Sequence, residues 1–259
     1  MSATTVLITG ASGGIGYELA KLFARDGHNL VLVARSADKL GQVATELRVR
    51  GVTVKTIALD LAAPPAPKFL FDQLQREGVV VDILVNNAGY GVYGDFAQMP
   101  EPEILGQLDL NIRALTELTR LFLPLMLARR SGRIMNVAST AGFQPGPLMA
   151  VYYATKAYVI SFSEAIANEL RNSGVTVTCF CPGATHTGFA ARAGVEKSRL
   201  FKVGAMSAQK VALDGYRAVM EGRTLAISGT RNWLVAQSTR FAPRKMVTAI
   251  SRWVAEKAE

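Results

Sequence analysis

Short apolar runs alternate with amphipathic stretches along most of the chain. Residues 4–9 form a strand-length apolar run, and beyond a glycine-rich turn Leu19, Ala20, Leu22 and Phe23 fall at helical spacing. Residues 29–34 (NLVLVA) give a second strand, residues 37–50 a helix and residues 52–59 a third strand ending at Asp60-Leu61. A proline-rich loop at 62–67, a helix near 68–77 and a wholly apolar strand at 79–85 follow, and residues 101–129 read as one long helix. Strand 133–138, a helix from Tyr152 to about residue 172, strand 175–181, helix 207–221 and strand 224–227 continue the alternation. Runs this apolar are buried on both faces, and the strand–helix rhythm implies right-handed crossovers. The pattern therefore predicts an α/β fold, a single doubly wound parallel sheet within residues 1–229, followed by a C-terminal helical extension at 230–259.

In that extension Met246, Val247, Ile250, Trp253 and Val254 recur at helical spacing after Pro243, flanked by Arg240, Arg244, Lys245, Arg252 and Lys257. A terminal helix docked on the core or on a partner subunit is the expectation; an interfacial helix on anionic lipid is the alternative. Charge sharpens the contrast. The chain carries 29 Lys and Arg against 20 Asp and Glu, and from Arg192 onward the balance is 13 against 5. The basic excess thus sits in the C-terminal quarter, where it is a solvated surface or attracts an acidic substrate, phosphates or a membrane surface.

The composition, 49% apolar with 19% charged, is that of one globular domain of 259 residues. No apolar run is long enough for a membrane span and no signal peptide is read, so a cytoplasmic protein is expected. Two cysteines, Cys179 and Cys181, and two distant histidines, His28 and His186, make neither a disulfide framework nor a zinc site. No nucleic-acid partner is expected.

The candidate chemistry lies at the ends of the predicted strands. After the first, Gly10-Ala11-Ser12-Gly13-Gly14-Ile15-Gly16 turns into a helix. Such a turn lets a pyrophosphate approach the backbone and the free N–H groups at a helix N-terminus. After the second comes Arg35, where dinucleotide folds place a carboxylate against the ribose 2′-OH of NAD. A guanidinium there suits the 2′-phosphate of NADP, so NADP(H) is the expected cofactor. Asp60, with Leu61, offers an acceptor to the adenine amino group. Tyr152 and Lys156, four apart on one helix face, put a cation beside a phenol and would lower its pKa, making it a general acid or base.

Taken together, Thr9-Gly10-x-x-x-Gly14-x-Gly16, Asn86-Asn87-Ala88-Gly89, Asn111, Ser139, Tyr152-x-x-x-Lys156 and Pro182-Gly183 resemble the classical short-chain dehydrogenase/reductase superfamily over about residues 4–187. The resemblance implies a Rossmann-fold ketoreductase that is a homo-oligomer and acts on a small-molecule carbonyl or alcohol. Gly10, Ser12, Gly14, Ile15 and Gly16 match the cofactor turn, and Asn87, Ala88 and Gly89 the segment backing the adenosine ribose. Pro182, Gly183, Thr185 and Thr187 match positions near the nicotinamide and phosphates. Ser139 would hold the carbonyl, Tyr152 protonate it, Lys156 hold the ribose and tune Tyr152, and Asn111 disturb its helix and hold a relay water. Tyr153 would pack. Residues 188–222 would carry the substrate-binding flap, with Phe189, Phe201, Arg192, Lys197, Arg199 and Lys202, and Phe143, Leu148 and Met149 would add apolar pocket wall. A non-catalytic NADPH sensor and a lipid-associated reductase are the alternative functions.

Overall fold

The computed structural model describes residues 4–196, 198–199 and 204–256; Lys197, Phe201, Lys202 and Lys257, singled out above, lie outside them. Strands β1 (Thr5–Thr9), β2 (Asn29–Ala34), β3 (Val54–Ala58), β4 (Ile83–Asn86), β5 (Gly132–Val137) and β6 (Val175–Cys181) belong to one parallel sheet, and β7 (Thr185–His186) and β8 (Met206–Ser207) form a small separate pair. With β9 (Leu225–Ile227) the main sheet has seven strands in the order β3-β2-β1-β4-β5-β6-β9. The predicted doubly wound sheet is therefore present.

Its layers follow from the period-two alternation of buried strands. Val6 and Ile8, with Leu30 and Leu32 in register beside them, face α1 (Gly14–Arg25) and α2 (Ala37–Arg48). Leu7, with Val31 beside it, faces the opposite layer of α3 (Ala66–Arg76) and, beyond it, α5 (Leu115–Ala128). Strand order reverses between β1 and β4, and such a switch point opens a crevice beyond the carboxyl ends of the strands. A buried polar chain fixes the sheet's centre. Asn86 Nδ2 donates to Asn136 Oδ1 (2.9 Å) and Thr119 Oγ1 (3.1 Å), and Asn136 Nδ2 donates to Ser163 Oγ (3.0 Å). Ser163 lies on α6 (Ala150–Glu169).

Two elements differ from the sequence expectation. The fourth strand starts at Ile83, because Val79 closes the turn after α3 by donating to Leu74 O (2.9 Å), and Val80 is exposed. The long helix is broken: α4 (Glu101–Leu108) passes through a π turn at Asp109–Ala114 before α5 begins. Among the described residues the further α-helices are α7 (Gly188–Ala193), α8 (Ala208–Glu221) and, in the extension, α9 (Thr230–Ser238) and α10 (Arg244–Ala255). Cys179 and Cys181 are free and buried. Among the described residues no helix is long and apolar enough to cross a membrane, and no group of three metal-ligating side chains occurs.

Candidate active site

The crevice holds a cleft of about 900 Å³. Its floor begins at the glycine turn. Gly10 and Gly14 have φ of 66° and 57°, the left-handed region that favours glycine. Gly16 is required for a different reason: a Cβ there would lie 2.5 Å from both Gly10 O and Asn87 Nδ2. Asn87 Nδ2 clamps the turn by donating to Thr9 O (2.8 Å) and Gly10 O (3.3 Å), while Thr9 Oγ1 accepts from the N–H groups of Asn87 (3.0 Å) and Ala88 (2.9 Å). Strand ends β1 and β4 are thus tied together around the open N-terminus of α1. Ser12, Gly14, Ile15, Asn87, Ala88, Gly89, Pro182, Gly183, Thr185 and Thr187 all line the same cleft.

Arg35 stands exposed at the end of β2, with no ion-pair partner among the described residues, and Asp60 and Leu61 sit at the end of β3. These three lie outside the cleft's lining. Asp60 Oδ1 accepts from Ala62 N (3.0 Å), and Leu61 is core. Two cations that the sequence did not single out for the cofactor stand closer. Lys39, on the first turn of α2, lines the cleft. Arg192 on α7 sets its guanidinium 3.9 Å from the Tyr90 ring centroid, and burial together with the positive charge of Arg35 lowers its pKa.

At the other end β5 delivers Ser139 and α6 delivers Tyr152 and Lys156, all buried. Ser139 Oγ accepts from Ala141 N (3.1 Å) and donates to Pro182 O (3.4 Å). Burial pushes the Tyr152 phenol above its ordinary pKa, and the hydrogen bond with Ser139 is the influence that opposes this. The expected lowering by Lys156 is not what this arrangement produces. Lys156 Nζ is 5.8 Å from the Tyr152 ring centroid and donates to Val137 O (2.8 Å). Its own pKa is brought down to about 8, chiefly by burial. One turn of helix aligns the two side chains, but the ammonium finds a carbonyl before it finds the phenol.

Asn111 lies within the π turn, so the helix is disturbed where expected. Its side chain is fully engaged: Nδ2 donates to Tyr90 O (2.8 Å) and Thr155 Oγ1 (3.1 Å), and Oδ1 accepts from Tyr90 N (3.1 Å). Thr155 Oγ1 in turn donates to Tyr152 O (2.7 Å), which links Asn111 to the tyrosine's own turn. Gly89 leaves room here, since a Cβ would lie 3.0 Å from Asn111 Oδ1 and 3.4 Å from Lys156 Nζ.

The walls are apolar. Phe189 stands 5.2 Å from the Tyr152 ring, and Met149 and Val195 join it. Of the other expected wall residues, Phe143 packs in the core against the end of the sheet and Leu148 does not line the cleft. Tyr153 packs as expected, edge-on to Tyr152, over Gly146 and facing Ser251 of α10. Helices α9 and α10 form the roof through Val235, Ile250 and Trp253, a role the sequence left undecided. Arg199 fastens α10 to the flap, stacking on Trp253 at 5.0 Å and donating to Trp253 O (2.8 Å).

A model of the family described as short chain dehydrogenase matches residues 4–197. The chain belongs to this family. The short chain dehydrogenase match is echoed by single proteins. The ketoacyl reductase HetN of Nostoc sp. is 37% identical over 183 residues, 71% of this chain. The chain spans 64% of that reductase's length, and about half (53%) of other curated relatives. Among solved structures, a short-chain dehydrogenase from Sphingobium yanoikuyae in complex with NADPH superposes with a TM-score of 0.82 at 34% identity, covering 92% of this chain and 94% of that one. A short-chain dehydrogenase/reductase from Burkholderia phymatum in complex with NAD gives 0.83 at 25% identity, covering 99% and 98%.

Proposed function

We propose that the protein reduces a ketone or aldehyde of apolar character to an alcohol, with NADPH as reductant. The observation that carries this reading is the gathering of buried Ser139, Tyr152 and Lys156 on the wall of one cleft, at the end opposite a glycine cradle on a helix N-terminus. The cradle fits a dinucleotide: a Cβ at Gly16 would displace the clamp, Ala11 N ties the turn to Val33 O (3.3 Å), and the turn opens onto the N-terminus of α1, where phosphate oxygens are accommodated. When bound, NADPH supplies the hydride that reduces the carbonyl carbon. Relatives of this chain are seen with either nicotinamide cofactor, so the choice rests on the chain's own cations. Lys39 and Arg192 line the cleft and Arg35 lies near enough to Arg192 to act on its charge, and a 2′-phosphate is the group that would join them.

The protein's part is orientation and proton transfer. Ser139 donates a hydrogen bond to the carbonyl oxygen, drawing charge onto it, and Tyr152 gives its phenolic proton to that oxygen as the alcohol forms. Burial keeps the phenol protonated but opposes its ionisation, so the transfer depends on a cation that stabilises the phenolate. Lys156, charged below its pKa of about 8, stabilises the phenolate left behind and binds the nicotinamide ribose. Asn111 holds the turn of Tyr152 and Lys156 in place through Thr155, and the phenolate regains its proton from solvent. Phe189, Met149 and Val195 exclude bulk water and favour an apolar substrate.

The test is consumption of NADPH against a panel of ketones and aldehydes, beside Tyr152→Phe. Turnover should fall by about 10²–10⁴ in the variant while NADPH still binds. Full turnover in Tyr152→Phe would remove the tyrosine from the chemistry.

A further inference from the structure

The two helices that roof the cleft keep apolar side chains exposed at its rim and on their outer surface. On α10, Val247, Ser251 and Ala255 are buried against the body, as an amphipathic surface helix requires, yet Met246, Ile250 and Trp253 on the adjoining face remain exposed. Trp233, Leu234 and Val235 do the same on α9, and Phe241, between the helices, is 88% exposed. Both tryptophans of the chain lie in this patch, at 51% and 59% exposure. Large apolar side chains gathered this densely on a surface mark a contact site. Five cations accompany them, Arg231, Arg240, Arg244, Lys245 and Arg252, against one acid, Glu256, within residues 230–256. Glu256 is already engaged by Arg199 (3.3 Å) and Arg252 (3.4 Å).

We propose that α9 and α10 are a docking surface for an anionic lipid bilayer. Charge complementarity selects this occupant. Lipid phosphates pair with Arg240, Arg244 and Lys245 while Trp233, Phe241, Met246, Ile250 and Trp253 enter the boundary between headgroups and acyl chains. A second copy of the chain is a poorer fit, because a two-fold contact sets the five cations of each copy against those of the other. Val235, Ile250 and Trp253 also line the cleft, so docking brings the wall of the site to the lipid boundary.

The full chain is mixed with vesicles of equal parts phosphatidylcholine and phosphatidylglycerol, or of phosphatidylcholine alone, and followed by co-sedimentation and tryptophan emission. Because the only two tryptophans sit in the patch, binding shifts the emission to the blue without any added label. The expected result is binding to the anionic vesicles that weakens with salt, about fivefold for each cation removed, so that Arg244→Gln with Lys245→Gln lowers affinity about 25-fold. Both positions are exposed, and an unchanged circular dichroism spectrum shows that the variant folds. Three results overturn the proposal: no binding to either vesicle, equal binding to both, or a dimer by light scattering whose tryptophans are shielded without lipid.

Discussion

Replacing Gly16 by alanine tests the cradle directly, because it adds one methyl group at a point where nothing can yield cheaply. The new Cβ would lie 2.5 Å from Gly10 O and from Asn87 Nδ2, whereas ordinary contact begins at 3.4 Å, so the neighbours must retreat by about 0.9 Å. Gly10 O is main chain in a left-handed turn, and Asn87 Nδ2 is held by Thr9 O and Gly10 O. Losing those two hydrogen bonds costs about 1 kcal/mol each, and forcing the backbone apart about 1–3 kcal/mol more, for a total of about 3–5 kcal/mol. Gly13→Ala is the matched control. A Cβ there meets nothing within 4 Å and φ is an extended 176°, so the helix-cap change should cost less than about 1 kcal/mol. Urea unfolding followed by circular dichroism gives both values, and titration of NADPH fluorescence should show Gly16→Ala binding at least about tenfold more weakly. A Gly16→Ala loss below about 1 kcal/mol, or one no larger than that of Gly13→Ala, would refute the clamp as the reason for the glycine.

Two further outcomes follow from the charges. Arg35→Asp should reduce the preference for NADPH over NADH by about 10- to 150-fold, the equivalent of one charge-assisted pair; equal ratios in wild type and variant would reassign the phosphate to Lys39 and Arg192. Lys156 has a native pKa of about 8 against an ordinary value of 10.5, so between those pH values the unfolded chain holds a proton that the native chain has released. Stability conferred by wild type relative to Lys156→Met should therefore be lowest below about pH 8 and rise towards pH 10.5, by on the order of 3 kcal/mol. Denaturation midpoints of both proteins across that range decide it, and a flat difference would show that burial of the ammonium carries no such cost.

The sheet and its crevice were legible in the sequence because each strand is a short run of core residues closed by a turn, and periodicity reports burial directly. The glycine spacing, Ser139, Asn111 and the Tyr152–Lys156 pair were legible as a resemblance, and the structure brings them to one crevice. Less legible were features set by contacts distant in sequence. Val79 and Val80 read as strand, yet the turn after α3 claims them. Lys156 was expected to act on Tyr152, but helical spacing says nothing of the Val137 carbonyl arriving from β5. Arg192 reads as one more flap cation until the fold places it over Tyr90. The two exposed flanks of the C-terminal helices were half visible, since a stripe of apolar residues looks the same whether it faces the core or water.

The π turn at Asp109–Ala114 carries a further meaning for the long rod it interrupts. Such a turn takes up one residue more than an α-helical turn, so everything beyond it is rotated by about 100° relative to an unbroken helix. The rod consequently serves two neighbours in two phases: Gly106 lies against the Tyr90 hydroxyl on one side of the break, and Leu118 and Phe122 enter the core on the other. A single helical wheel drawn through residues 101–129 describes neither half. A one-residue insertion or deletion in this stretch is accordingly not a loop-length variation but a change of phase, felt at once by the Asn111–Tyr90 hydrogen bonds and by the packing of α5.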